Sequence, residues 1–460
     1  MSATTAPADG ATALDQPKPK QKLFESLQVR NFKLFFWGQL VSVTGTWLQA
    51  TAQSWLVLKE LHGGAGALGL LTGVQFLPTL LFGLWAGVIA DRFDRRKILL
   101  CTNIWQTCTA SVLGILVLTG TVRLWMVFAI AFASGLANAV EMPTRQAFLG
   151  EVVGPARLPN AVALSSATFN SGRIFGPALA ALMILVVGTG WCFILNAVSF
   201  LAVIAGVVSM RVAEMHPIKR AVRASGQIRD GLRYAWASPP LRSTLILVAV
   251  VGLLSLNFMV TLPLLAKDVF HGDAGTVGLF STMQGAGALV GALTAARRKA
   301  PTPRLLVASC IALGCTMLGE ALAPTLAYEV VAVTFNGVAF MTLMLTANST
   351  LQLNSSQEKR GRVMALYVMM FGGTTPFGGP LIGFISDHFG ARTGAGIGGV
   401  AALGGAVIVP TVYRTMARNG AVLASREPVP AVSAVPAGST AAAVAATASV
   451  EATVATAAGS

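Results

Sequence analysis

Gly66-Ala-Leu-Gly-Leu-Leu-Thr-Gly-Val-Gln75 returns as Gly275-Thr-Val-Gly-Leu-Phe-Ser-Thr-Met-Gln284, an offset of 209 residues (66 to 275) in a chain of 460. A second match joins Thr144-Arg-Gln146 and Asn160-Ala-Val-Ala-Leu164 to Thr350-Leu-Gln352 and Arg362-Val-Met-Ala-Leu366. Each of these precedes a Gly-Pro pair, Gly176-Pro177 or Gly379-Pro380. A chain that repeats itself at nearly half its length is two similarly built halves.

What each half is made of follows from composition. Hydrophobic side chains make up 54% of the chain and charged ones 11%, and the mean hydropathy is +0.68. That leaves too few polar groups to wrap soluble cores. The apolar residues fall into runs of about twenty, the length that crosses a hydrocarbon core about 30 Å thick. Six runs fill the first half, at 33–58, 68–90, 98–118, 124–142, 160–187 and 191–210, and six the second, at 244–265, 277–296, 305–322, 327–345, 363–386 and 393–413. The expectation is an all-α integral membrane protein: twelve transmembrane helices in two pseudo-symmetric six-helix bundles, 31–210 and 243–414. Around them lie an N-terminal arm (1–30), a central loop (211–242) and a disordered tail (415–460). With an even number of spans per half, the repeats share orientation and leave a cavity between them.

Net charge is +15, which in a soluble protein would suggest nucleic acid. Placement argues otherwise. The basic residues gather in the N-terminal arm, at 92–97, at Arg145 and Arg157, at 211–242, 297–304 and 359–362, and in the tail. Lys59, Arg123, Lys267 and Arg392 fall on the other side. This asymmetry is the positive-inside pattern and predicts a plasma-membrane protein with both termini cytoplasmic. No nucleic acid is expected as partner; a lipid bilayer is. Within the central loop, 231–236 suits a short amphipathic helix on the lipid surface. The five cysteines and four histidines lack the spacing of a metal site, so neither metal nor cofactor is expected.

The segment Gly87-Val-Ile-Ala-Asp91-Arg92-Phe-Asp94-Arg95-Arg96-Lys97 joins the second and third spans. It resembles the loop motif of the major facilitator superfamily, Gly-x-x-x-Asp-Arg-x-Gly-Arg-Lys. Where that motif has Gly this chain has Asp94, a residue that tolerates a left-handed turn. In the fifth span, Gly172-Arg-Ile-Phe-Gly176-Pro177 resembles the Gly-x-x-x-Gly-Pro signature of the superfamily's exporters. Together with the Leu-Pro-Asn-Ala-Val-Ala-Leu run, these motifs are similar to the twelve-helix drug and siderophore exporters, the enterobactin and macrolide group. The resemblance implies the major facilitator fold, alternating access and proton antiport. It also implies that Asp91 meets the start of the eleventh helix near Arg362, where a carboxylate is favoured by free amides and the helix dipole.

Arg173 is a basic residue deep within a span, at a cost of at least about 2.5 kcal/mol without a partner or water. Counted at 1.5 Å per residue, Glu141 lies about 25 Å and Arg173 about 21 Å from the outer ends of their spans. The two are expected to pair, with Glu141 as proton-coupling acid. Gln39, Trp47, Gln49, Gln53, Gln75, Trp105, Gln106, Asn138, Asn170, Asn257, Gln284 and Asn336 are candidates for lining the cavity, since lipid-facing amides are expensive. Glu320 and Asp387 sit near span ends and read as interfacial acids. No phosphate-binding loop is present, so the expected work is ion-coupled efflux of an amphipathic small molecule by a monomer, with protons as second partner. The alternatives are an importer or facilitator of a metabolite and, more remotely, an intramembrane lipid-modifying enzyme or a non-transporting sensor.

Overall fold

The apolar runs become helices in the computed structural model, which describes residues 24–216, 227–296, 301–356 and 358–426. In chain order these are α1 (Arg30–Trp55), α2 (Ala65–Arg92), α3 (Arg95–Leu118), α4 (Leu124–Val187), α5 (Thr189–Val208), α6 (Gln227–Ala237), α7 (Pro239–Leu254) and α8 (Phe258–Leu264). After them come α9 (Ala274–Ala296), α10 (Pro303–Ala321), α11 (Leu326–Leu353), α12 (Arg360–Gly372), α13 (Thr375–Phe389) and α14 (Ala391–Arg426). Ten segments of the described residues are long and apolar enough to cross a membrane. One of them, α4, is 64 residues long and turns at Gly154, whose φ of +73° suits glycine, with Pro155 next. Its arms, 124–153 and 155–187, are two crossings. Helix α1 is more polar, yet it is wedged between α4 and α5. Counting α1 and both arms of α4 gives the expected twelve.

In the first half, α1 packs on the second arm of α4 and on α5, while α3 lies at the periphery against α4 and α5. In the second half, α11 packs against α9 and α10. Two seams join the halves: α2 against α13, and the second arm of α4 against α9. Below, the end carrying the 92–97 loop and α6 is the basic end, and the other is the far end.

The duplication reaches further than the matched sequence. Helix α1 ends in a π-turn, Leu56–Glu60, and α8 in another, Leu265–Val269. Each is followed by a histidine with positive φ, His62 at 51° and His271 at 49°. These positions obey the same 209-residue offset (62 to 271).

Several expectations need correction. The seventh span is interrupted at 255–257 and the eleventh at 373–374, so α7/α8 and α12/α13 are broken helices. The two breaks are stacked: a side chain on Gly378 would strike the Leu253 carbonyl and the Asn257 amide. Backbone breaks at membrane depth are tolerated where they are buried in protein. The fourth span runs to residue 153 rather than 142, and α14 continues to Arg426, into the tail expected to be disordered. The amphipathic helix exists as α6, but Ala235 is fully buried in a cluster with Leu241, Leu351, Val363 and Leu366. The helix is thus anchored on protein through Ala235 and Tyr234, while Leu232 and Trp236 remain exposed. The N-terminal arm is held too, since Ser26 donates its backbone N–H to Asn160 Oδ1 at 2.9 Å. Residues 1–23, 217–226, 297–300 and 427–460, parts of the arm, central loop, basic clusters and tail, lie outside the described residues.

Candidate functional site: the seams between the halves

The α2–α13 seam is built from glycine. A Cβ on Gly69 or Gly73 would run into Gly379 or Pro380, and one on Gly383 into the Ala65 carbonyl. Small residues at this spacing let helix backbones touch, where dispersion contacts are densest. Asp387, in the last turn of α13, finishes the seam at the far end. Its carboxylate oxygens accept the backbone N–H groups of Ala65 at 2.5 Å and Gly66 at 2.6 Å. These are unpaired amides of the first turn of α2, where a carboxylate also meets the positive end of the helix dipole. Nearby, Lys267 Nζ donates to the Leu58 carbonyl at 2.9 Å. Leu58 and Lys267 are themselves repeat-equivalent (58 + 209 = 267), so the pair sits where the halves' symmetry axis would pass. Asp387 is thus a clamp across the halves, which its reading as an interfacial acid missed. The missed signal was Gly383-x-x-x-Asp387-x-x-Gly390-x-Arg392, a second copy of the loop motif's spacing.

The α4–α9 seam follows the same plan with one difference. Gly278, the repeat equivalent of Gly69 (69 + 209 = 278), faces the Pro177 carbonyl and Ala181, and Gly285 lies against the Arg173 backbone. Midway along, Arg173 Nη2 donates to Gln284 Oε1 at 2.9 Å, and Thr282 Oγ1 to the Ile174 carbonyl at 3.2 Å. The guanidinium carbon lies 5.1 Å from the ring centroid of Phe340 and 6.0 Å from that of Trp47, within cation–π range. The ion pair expected between Glu141 and Arg173 does not form. Arg173 reaches across to the second half, while Glu141 is buried beside Arg145, one turn away on its own arm. Which partner a buried side chain meets depends on the direction in which it leaves its helix, and spacing along the chain does not give that.

At the basic end the loop motif works within its own half. Asp94 adopts an extended backbone (φ −64°, ψ 115°), not a left-handed one, and caps α3 by accepting the N–H of Arg96 at 2.9 Å and of Lys97 at 3.3 Å. Arg95 bonds Glu151 at 2.6 Å and lies 3.8 Å from Asp91. Arg96 donates to the carbonyls of Val207 and Val208 at the end of α5. Arg92 ends α2, and Gly87 lies one turn before it. Across the seam Arg362 pairs with Asp230 of α6 at 3.6 Å. Among the described residues, each half carries ion pairs of its own at this end.

The sequence profile described as "transmembrane secretion effector" matches residues 22–443. The chain belongs to this family of the major facilitator superfamily. It is similar to the staphyloferrin A transporter of Staphylococcus aureus, 25% identical, with 78% of this chain and 90% of that protein covered. The multidrug efflux pump Tap of Mycolicibacterium fortuitum is 26% identical over 78% of this chain and 89% of its own length. Among solved structures, a bacterial homolog of the lysosomal transporter Spinster superposes with a TM-score of 0.65 at 13% identity, covering 83% of this chain and 95% of that one.

In this secretion-effector fold the expected cavity amides divide into classes. Gln106 donates to Asn138 at 2.9 Å, and Asn196 donates to Gln49 at 2.7 Å, so these tie helices of the first half together. Gln39 accepts from Arg145 at 3.1 Å. Trp105 is half exposed on peripheral α3 and donates to the Ala133 carbonyl at 2.8 Å, away from the seams, which removes it as a candidate. Asn170 and Asn257 each donate to a carbonyl one turn back, at Ser166 and Leu253. Gln53 is buried and Gln75 half-buried, nearly two turns of α2 beyond the Gly69–Gly379 contact. Trp47 and Gln284 meet at Arg173, the one place where candidates from both halves converge among the described residues. Gly172 and Gly176 of the exporter-type motif receive Val43, Thr44 and Trp47 of α1, so this motif brings α1 close enough for Trp47 to reach Arg173.

Proposed function

We propose that this transporter exports amphipathic small molecules across the plasma membrane in exchange for protons, by alternating access, with its basic end in the cytoplasm. The observation that carries the reading is the Arg173–Gln284 contact. A guanidinium buried at mid-membrane against a neutral amide of the other half is a poor way to hold a static fold, because its desolvation is only partly repaid. Such a group is useful where the halves must part and let water or a ligand replace the partner. Closure of the far end by Asp387 and Lys267 supports a state shut on the side away from the cytoplasm. Export is favoured over import by the Gly172/Gly176/Pro177 motif and by relatives named for multidrug efflux. Trp47, Phe169 and Phe340 beside Arg173 offer an apolar wall with one polar anchor, the usual make-up of a small-molecule site.

The test is efflux of a panel of amphipathic dyes and antibiotics from cells, followed by proton flux in inverted vesicles. Arg173→Gln should lower efflux at least tenfold with normal membrane insertion. Unchanged efflux by that variant, or substrate moving inward with protons, would reject the reading.

A further inference from the structure

The second half carries two buried acids that no part of the seam uses. Glu320 ends α10 and Glu329 begins α11; they are 1% and 0% exposed, and none of their four carboxyl oxygens has a hydrogen-bond partner. Glu329 faces Glu320 across the short α10–α11 connection. Asn336, seven residues after Glu329 on the same face of α11, is 0% exposed and turned toward Glu320, its amide outside hydrogen-bond geometry. The charged group facing the pair from the remaining helix is Arg392, at the start of α14, which lies near Glu329 and donates to the Ala323 carbonyl at 2.8 Å. Tyr328 covers Gly319 on the exposed side.

Charge decides what this cluster holds. Two buried carboxylates face each other with one guanidinium, that of the exposed Arg392, at their edge; this leaves the group one positive charge short, and keeping both acids ionised there is costly without a further cation. One more positive charge makes the cluster neutral. The described residues contain no group of three or more metal-ligating side chains, and two carboxyls with one amide are too few oxygens to replace the shell of a hard metal ion.

We propose that Glu320 and Glu329 bind a single proton between them, with Asn336 as hydrogen-bonding third member and Arg392 as fixed counter-charge, and that this pair is the protein's coupling-proton site. The site deepens the export reading and rests on it. On binding, an O–H bond forms on one carboxyl and is shared with the other; on release, the proton leaves to water and the pair returns to two carboxylates. Arrival from the far end is short, because both acids stand in end turns there. Transmission inward follows the same face of α11. Glu329, Asn336 and Phe340 lie at i, i+7 and i+11, and Phe340 is the ring under Arg173, about 16 Å from Glu329 along the axis. Charging the pair would shift α11 against the seam. Glu141, by contrast, has Arg145 as a counter-charge on its own helix and needs no proton for neutrality.

The test uses the full-length protein in lipid nanodiscs. Infrared difference spectra taken across a pH titration should show the carbonyl stretch of one buried protonated carboxyl, and Glu320→Gln and Glu329→Gln should each abolish it. Arg392→Gln should double the band, because the pair then takes two protons; this variant keeps the test decisive if a glutamine variant fails to fold. A band that survives in the Glu320→Gln/Glu329→Gln double variant, or is lost in Glu141→Gln instead, would overturn the proposal. The spectra do not depend on transport. If no substrate moves in vesicles while the band behaves as expected, the export reading fails and the proton site stands; if wild-type efflux is proton-coupled and the glutamine variants keep that coupling, the assignment fails and the export reading stands.

Discussion

The two ends of α2 meet aspartates at the same spacing from a glycine but with different contacts. Asp91 closes α2 at the basic end and Asp387 closes α13 at the far end, each four residues after a glycine, Gly87 or Gly383. Asp387 is seated on the first amides of α2, across the halves, whereas Asp91 lies 3.8 Å from Arg95 of its own half. The helices run antiparallel, so Asp387 ends α13 beside the first turn of α2, whereas α13 begins beside Gly73, midway along α2 and well short of Asp91. The difference teaches that a helix-end carboxylate ties the halves together when the amides it meets belong to the opposite half. Its strength is set by whether those amides are in reach.

Substitutions can break this comparison. Gly69→Val would force a branched side chain into the Gly379 backbone, so the far end should stay open and transport should cease; thiol labelling from outside at the α2–α13 seam would report it. Asp387→Asn removes the charge from two hydrogen bonds and from a helix dipole, together about 2 kcal/mol, or roughly thirtyfold in the ratio of open to closed far ends. Spin-label distances between α2 and α13 would measure that shift. Asp91→Asn should move the same ratio the opposite way, by tenfold or less, if Asp91 holds the basic end as Asp387 holds the far end; the double variant should return toward the parent distances. A shift in the same direction as Asp387→Asn would show that Asp91 is no latch. Lys267→Met should have the smallest effect, about threefold, because one bond to the Leu58 carbonyl near solvent is lost.

The seams also differ from each other. Gly69 and Gly278 are repeat equivalents, facing Gly379 and Pro177, yet among the described residues only the α4–α9 side carries a buried arginine. About 203 residues after Arg173, by the second repeat offset (177 to 380), stands Pro376. Duplication supplied matched packing surfaces, and one substitution made them unequal. An asymmetric charge gives the seam a polar site without polarising both sides.

What the sequence determined by itself was the count of crossings, the duplication, the segregation of basic residues and the small-residue motifs. All of these are patterns along the chain, enforced by bilayer thickness, by the expense of burying charge and by the close approach that glycine allows. Tertiary structure decided the partners. Glu141 and Arg173 were expected to pair, but Arg173 meets Gln284 of the other half and Glu141 lies beside Arg145. Asp94 was read as a turn residue and became a helix cap, because side-chain oxygen and helix amides happen to align. Glu320 and Glu329 are charges near helix ends in the sequence, and only packing of α10, α11 and α14 shows that neither reaches water. One-dimensional spacing fixes how far along a helix a group lies; which neighbour it faces depends on helices that are hundreds of residues away.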